Sequence, residues 1–168
     1  VTDANALILG TSSVGTGTLT VTATGAITQT GALTQAAAAG AATFNAGANA
    51  ITLTQANNFT GAVSLTNTGA NNVAVTDANA IVLGASSVGQ NLTVSGVGIT
   101  QTGALTVGGT ATFNAGAGVI TLTQANDFTG AVSLTNTGAN AVQVTDANAL
   151  ILGTSSVGTG TLTVTATG

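Results

Sequence analysis

Apolar and hydroxyl-bearing residues alternate along this chain in short bursts. Leu19-Thr20-Val21, Ala42-Thr43-Phe44, Val63-Ser64-Leu65, Leu92-Thr93-Val94, Ala111-Thr112-Phe113, Val132-Ser133-Leu134 and Leu162-Thr163-Val164 share one order, apolar–hydroxyl–apolar. That is the two-residue period of a strand with one buried face, and the outward position is always Thr or Ser. A second pattern interleaves with the first. An apolar residue precedes an anchor threonine at Thr2, Thr28, Thr54, Thr76, Thr100, Thr123 and Thr145, and five residues after each anchor stands Leu7, Leu33, Phe59, Ile81, Leu105, Phe128 or Leu150. The anchor spacings are 26, 26, 22, 24, 23 and 22, a mean near 24.

These units belong to a longer repeat. VTDANALILGTSSV at Val1 returns as VTDANAIVLGASSV at Val75 and unchanged at Val144. A unit of about 24 residues with two or three short strands cannot bury its own apolar face, whereas stacked units can. The pattern therefore predicts an all-β, parallel β-solenoid of about seven coils running continuously through residues 1–168. Helical repeats need 34 or more residues with 3.6 periodicity, a propeller blade needs roughly 40, and the leucine-rich pattern is missing. Stacking like on like, the seven residues from Leu7 to Leu150 are expected to form one internal column. Asn5, Asn57, Asn79, Asn126 and Asn148, with Gly31 and Gly103 in the same place, are expected at sharp corners in left-handed backbone. The insertion from Gln35 to Gly40 is expected to bulge from the rod as a loop.

Composition narrows the function. The chain has no Lys, Arg, His, Glu, Cys, Met, Trp, Tyr or Pro, and its only charges are Asp3, Asp77, Asp127 and Asp146. Hydrophobic residues make up 44%, enough to build a core rather than a disordered coil. Without cations there is no basis for binding nucleic acid or anionic lipid, and no apolar run is long enough for a membrane-spanning helix. Catalysis by Ser or Thr needs a neighbouring base, and none of the usual ones is present, so no enzyme is expected. Asp127 and Asp146 form the one candidate carboxylate pair on adjacent coils. Gln29, Gln55, Gln101 and Gln124 are expected to separate the other aspartates and dilute their repulsion. Asp3-Ala4-Asn5 and its copies offer too few oxygens for calcium and suit a hydrogen-bonded Asx turn instead. No catalytic, cofactor-binding or metal-binding residues are assigned. The columns Thr20, Thr43, Ser64, Thr93, Thr112, Ser133, Thr163 and Thr22, Asn45, Thr66, Ser95, Asn114, Thr135, Thr165 raise ice binding as an alternative. They are interrupted at five of seven rungs. Asn58 and Asn91 begin glycosylation sequons, of little weight in a chain this rich in Asn and Thr.

The runs AITQTGALT, GTATFNAGAGVITLTQANDFTGAVSLT and VTDANALILGTSSVGTGTLTVTATG resemble the repeats of filamentous-haemagglutinin-like bacterial exoproteins, over the whole chain. That resemblance implies a right-handed parallel β-helix, export to the bacterial cell surface or the extracellular space, and service as a stalk, filament or adhesin in contact with another cell. It supplies no catalytic residues. Residues 1–25 and 144–168 are identical, so a window on a periodic array is expected, with coils continuing covalently or by end-to-end or lateral association of copies. The competing readings are an ice- or carbohydrate-binding solenoid module and a self-assembling, amyloid-like fibre subunit.

Overall fold

The computed structural model describes all 168 residues. Every regular element is a strand and every strand pairing is parallel. The chain winds as a β-solenoid of about eight turns around one apolar core. Each turn passes once through a front sheet and once through a back sheet.

The first strands are β1 (Thr2–Asp3), β2 (Leu7–Leu9), β3 (Ser12–Val14), β4 (Leu19–Ala23), β5 (Ile27–Gln29), β6 (Leu33–Gln35), β7 (Ala42–Asn45), β8 (Ile51–Asn57) and β9 (Val63–Thr66). Of these, β1, β4, β7 and β9 stack on the front, and β2, β5 and β8 on the back. The back is the long side here, because β3 and β6 follow β2 and β5 past a kink.

The next strands are β10 (Val73–Asp77), β11 (Ile81–Leu83), β12 (Ser86–Val88), β13 (Leu92–Ser95), β14 (Ile99–Gln101), β15 (Leu105–Val107), β16 (Ala111–Asn114), β17 (Ile120–Phe128) and β18 (Val132–Thr135). Now the short strands β10, β13, β16 and β18 are on the back. The paired strands β11–β12 and β14–β15, and the long β17, are on the front. The last turns return to the first arrangement: β19 (Val142–Asp146) and β20 (Leu162–Ala166) on the front, with Leu152 and Ser156 bridging to β18 on the back. Long and short sides have thus exchanged faces twice.

The exchange corrects the expected stacking. On the back face, Leu7, Ile27, Ile51, Val73, Leu92, Ala111, Val132 and Leu152 lie one above another, at offsets of 20, 24, 22, 19, 19, 21 and 20 residues. A turn therefore averages about 21 residues, while the sequence motif recurs about every 24, so six motif spacings occupy seven turns. Motifs fall into sets of three. Thr28, Thr54 and Thr76 ride on the back, then Thr100, Thr123 and Thr145 on the front. The proposed single column from Leu7 to Leu150 is split in the same way: Leu7 stacks on Ile27, Ile81 on Ile99 and Leu105 on Ser86. All seven side chains still face inward. Five are buried, and Leu7 and Leu150, near the ends, are half-buried.

The interior is one cluster of 32 buried apolar residues. Burying each large one contributes about 1.5–3 kcal/mol. The four phenylalanines form two edge-to-face pairs, Phe44–Phe59 at 5.8 Å and Phe113–Phe128 at 6.0 Å between ring centres, one in each half of the rod. Because all four rings are inside, none is exposed to stack on a sugar.

Candidate functional site

The chain's polar side chains concentrate in ladders that hold turn to turn. In the first, Asn57 is fully buried where β8 ends. Its Nδ2 donates to Gln29 Oε1 (3.0 Å), Leu53 O (3.1 Å) and Thr76 O (2.9 Å). Its Oδ1 accepts from Gln29 Nε2 (2.9 Å) and Leu33 N (2.8 Å). Asp77 lies next to it in register, one turn above. Asp77 Oδ2 accepts from Phe59 N at 2.7 Å and Oδ1 from Asn79 N at 2.8 Å. Burial raises the Asp77 pKa above the usual carboxylate value, against the lowering effect of those two backbone hydrogen bonds.

The same ladder recurs on the front. Asn126 bonds Gln101, Leu122 O, Thr145 O and Leu105 N, and Asp146 is its neighbour above. The copies differ in one atom. Asp146 Oδ1 accepts from Asn148 N at 3.0 Å, but its buried Oδ2 has no partner.

Asp3, Asp77 and Asp146 each accept from the backbone N–H two residues on, the Asx turn expected for this motif. The left-handed corners are elsewhere. The positive-φ residues are Ala38, Gly47, Gly69, Gly98, Gly116 and Gly138, and none of the anchor-motif asparagines or glycines is among them. Asn57 and Asn126 hold their places by amide bonding. Gly31 and Gly103 hold theirs because a Cβ would collide with Thr11 and Ala85 of the adjacent turn. Gln55 and Gln124 are exposed, and the residues in register beside Asp77 and Asp146 are Asn57 and Asn126, with Gln29 and Gln101 on their far side.

Asp127 is exposed and Asp146 fully buried, so the candidate carboxylate pair does not share a cleft. Asp127 Oδ1 accepts from Asn148 Nδ2 at 3.0 Å, as Asn58 Oδ1 accepts from Asn79 Nδ2 in the first half. No pocket opens in the surface, and no three metal-ligating side chains gather. The threonine columns are divided by the face exchange. Thr20, Thr43 and Ser64 stack on the front, and Thr93, Thr112 and Ser133 on the back.

The insertion does form a turn, with Ala38 at φ 57°. Gln35 anchors it: Nε2 donates to Gly40 O at 2.9 Å, and Oε1 accepts from Thr60 N and Gly61 N. Two further residues were not anticipated. Asn67 is buried, and its Nδ2 donates to Asn49 O and Asn71 O while Oδ1 accepts from Gly89 N. Asn136 makes the matching bonds to Gly118 O, Asn140 O and Gly158 N. Each clamps three successive turns. The recurrence of Asn-Thr-Gly-Ala-Asn at both places was the signal for them.

No curated protein and no solved structure matches the chain. A family model matches three times, over residues 1–66, 70–135 and 139–168. Successive matches begin 69 residues apart, and that distance is about three and a half turns. Each family repeat therefore starts on the opposite face from the one before, and the residues between matches include the Asn67 and Asn136 clamps. Matched along nearly its entire length, the chain belongs to the family described as repeats of unknown function, DUF5649.

Proposed function

We propose that this chain serves as a load-bearing rod in an extracellular filament, stalk or surface layer of a bacterium, and that its outer faces make adhesive contact with another cell. The observation that carries the reading is where the polar groups go. Gln29, Asn57, Asp77, Asn67 and their second-half counterparts are spent on the turns above and below them. Axial strength then comes from backbone hydrogen bonds that run from turn to turn, most of the chain's 90, with those of each step loaded together. The outer faces of Thr, Ser and Asn keep such a rod wetted without charge, and the absence of Lys and Arg leaves trypsin-like proteases no site. A non-enzymatic role fits the same economy of side chains.

The test is location and shape. Antibodies raised against residues 1–168 should label intact cells of the source organism, and shaving the cells with a broad-specificity protease should remove the label. Electron microscopy of released material should show thin rods. Label confined to lysed cells would overturn the reading.

A further inference from the structure

We propose that the back face of the rod binds ice, through a flat, uncharged grid of hydroxyl side chains that the exchange of faces brings together. The ligand is crystalline water. This goes beyond a load-bearing role and holds wherever the chain resides.

The exchange divides the threonine columns read from the sequence and assembles another in their place. Anchor-motif threonines of the first half come into line with second-ladder threonines of the second. Along the back sheet, Thr28, Thr52, Ala74, Thr93, Thr112 and Ser133 form one outward column. Two residues on, Thr76, Ser95, Asn114 and Thr135 form the next. Between the columns Val75, Val94, Phe113 and Leu134 are buried, so both columns stand on the outer face. Ala74 is the one apolar member. The strands β10, β13, β16 and β18 pair with no shift of register, which keeps the grid regular from level to level.

The front face carries no such grid. Its column through Thr43 and Ser64 stops beneath Gly84. Farther along, Gln143 lies over Thr121, and the exposed Asp127 over Thr106. On the back sheet the only aspartate, Asp77, is buried, so no charge reaches that surface. A charged group would hold a hydration shell of its own and break the order of the water beside it.

The hydroxyls of the grid are also uncommitted. Those at the corners serve the chain itself: Thr24 donates to Ala4 O, Thr60 to Ala36 O and Thr110 to Asn91 Oδ1. Those of the two columns bond nothing within the chain and are left to water. β-Branching restricts each Thr side chain to few rotamers, so methyls and hydroxyls repeat with the backbone. The repeat is ~4.8 Å along the rod and ~6.7 Å across it, each within about a tenth of an oxygen repeat on the prism face of hexagonal ice. A lone hydroxyl gains nothing from ice over liquid water, since both hydrogen-bond it. A regular array gains because its bound waters already stand near lattice positions, so little further ordering is needed when the crystal takes them up.

Partition into ice tests the proposal. Ice grown slowly on a cold finger from a solution of the 168-residue chain should take up the wild-type protein, measured by amino-acid analysis of the melt. Thr112→Lys, at the middle of the grid, should abolish uptake, because an ammonium is strongly hydrated and projects above the plane. Thr43→Lys, at an outward place on the front, should be taken up as the wild type is. Ala74→Thr fills the gap in the first column and should increase uptake, a gain that a folding defect cannot produce. Circular dichroism should show all three variants folded at the temperature of ice growth. Exclusion of the wild type from ice, full uptake of Thr112→Lys, equal loss in Thr43→Lys, or reduced uptake of Ala74→Thr would each overturn the proposal. Without ice uptake, retention on microcrystalline cellulose or concentration-dependent sedimentation that Thr112→Lys removes would give the face to a polysaccharide or to a second copy instead. Surface labelling of intact cells is independent of every one of these outcomes, so the two readings fail separately.

Discussion

The amides of Gln29 and Asn57 face each other across adjacent turns through a reciprocal pair of hydrogen bonds, 2.9 and 3.0 Å long. Each side chain satisfies the other where water cannot reach Asn57. Leucine in place of Asn57 keeps the branched skeleton but removes every partner. Gln29, Leu33 N, Leu53 O and Thr76 O would lose a bond together. Leaving a buried polar group unsatisfied costs about 1–3 kcal/mol, so Asn57→Leu should destabilise the chain by more than about 3 kcal/mol. Urea unfolding monitored by circular dichroism would measure this, and Asn126→Leu should behave alike.

Asp77 gives the rod an acid-side preference. Its pKa is raised in the folded chain, so the folded state holds the proton more tightly than the unfolded state. Stability therefore falls as pH rises from the ordinary carboxylate range through the raised value. The melting temperature should increase on acidification from neutral pH toward pH ~4. Asp77→Asn should flatten that dependence, at the cost of one acceptor for Phe59 N or Asn79 N. A profile unchanged by the substitution would assign the pH dependence elsewhere.

Asp146→Asn should be milder than Asp77→Asn. The buried Oδ2 of Asp146 accepts no hydrogen bond, so replacing that oxygen forfeits none. Thermal melts of the two variants at neutral pH, side by side, test the ranking.

Gly103 and Gly10 should respond oppositely to alanine. A Cβ on Gly103 would run into the backbone of Ala85 in the turn below, and that backbone can give way only by parting the stack. Nothing stands within 4 Å of a Cβ on Gly10. Gly103→Ala should therefore lower the melting temperature sharply. Gly10→Ala should leave it unchanged or raise stability by up to ~1 kcal/mol, through a less flexible unfolded chain.

Core truncation should cost what a packed interior predicts. Phe113 is fully buried against Phe128, and Phe113→Ala should destabilise by about 3–5 kcal/mol. Ile81→Asp should be worse, because an unpaired charge would enter the column shared with Ile99. Chelating agents should leave the melting curve of the wild-type chain unmoved.

The sequence disclosed the strands, the parallel stack and the inward faces, because alternation of apolar and hydroxyl residues is a local property. Stacking order was a different matter. Leu-Thr-Val, Ala-Thr-Phe, Ile-Thr-Gln and Val-Ser-Leu all present the same apolar–hydroxyl profile, so any of them can lie on any other at little cost. Val73 meets Leu92 rather than another VTD strand for that reason. What breaks the degeneracy is non-local. Asn57 must reach Gln29, and Asn67 must reach Gly89, over separations of 28 and 22 residues. Of the anchor-motif asparagines, Asn5, Asn79 and Asn148 do lie at bends, though not in left-handed backbone, whereas Asn57 and Asn126 are buried amides within strands; Asn suits both places, and only the fold tells them apart.

The exchange of long and short sides has a mechanical meaning. If the long side stayed on one flank, every turn would add a small wedge of the same sense, and the rod would bow like a strip bonded from two unequal layers. With the wedge reversed every three and a half turns, the deflections cancel as the grain does in plywood. A rod built this way should run straight, and two of these repeats are the shortest length over which that cancellation is complete.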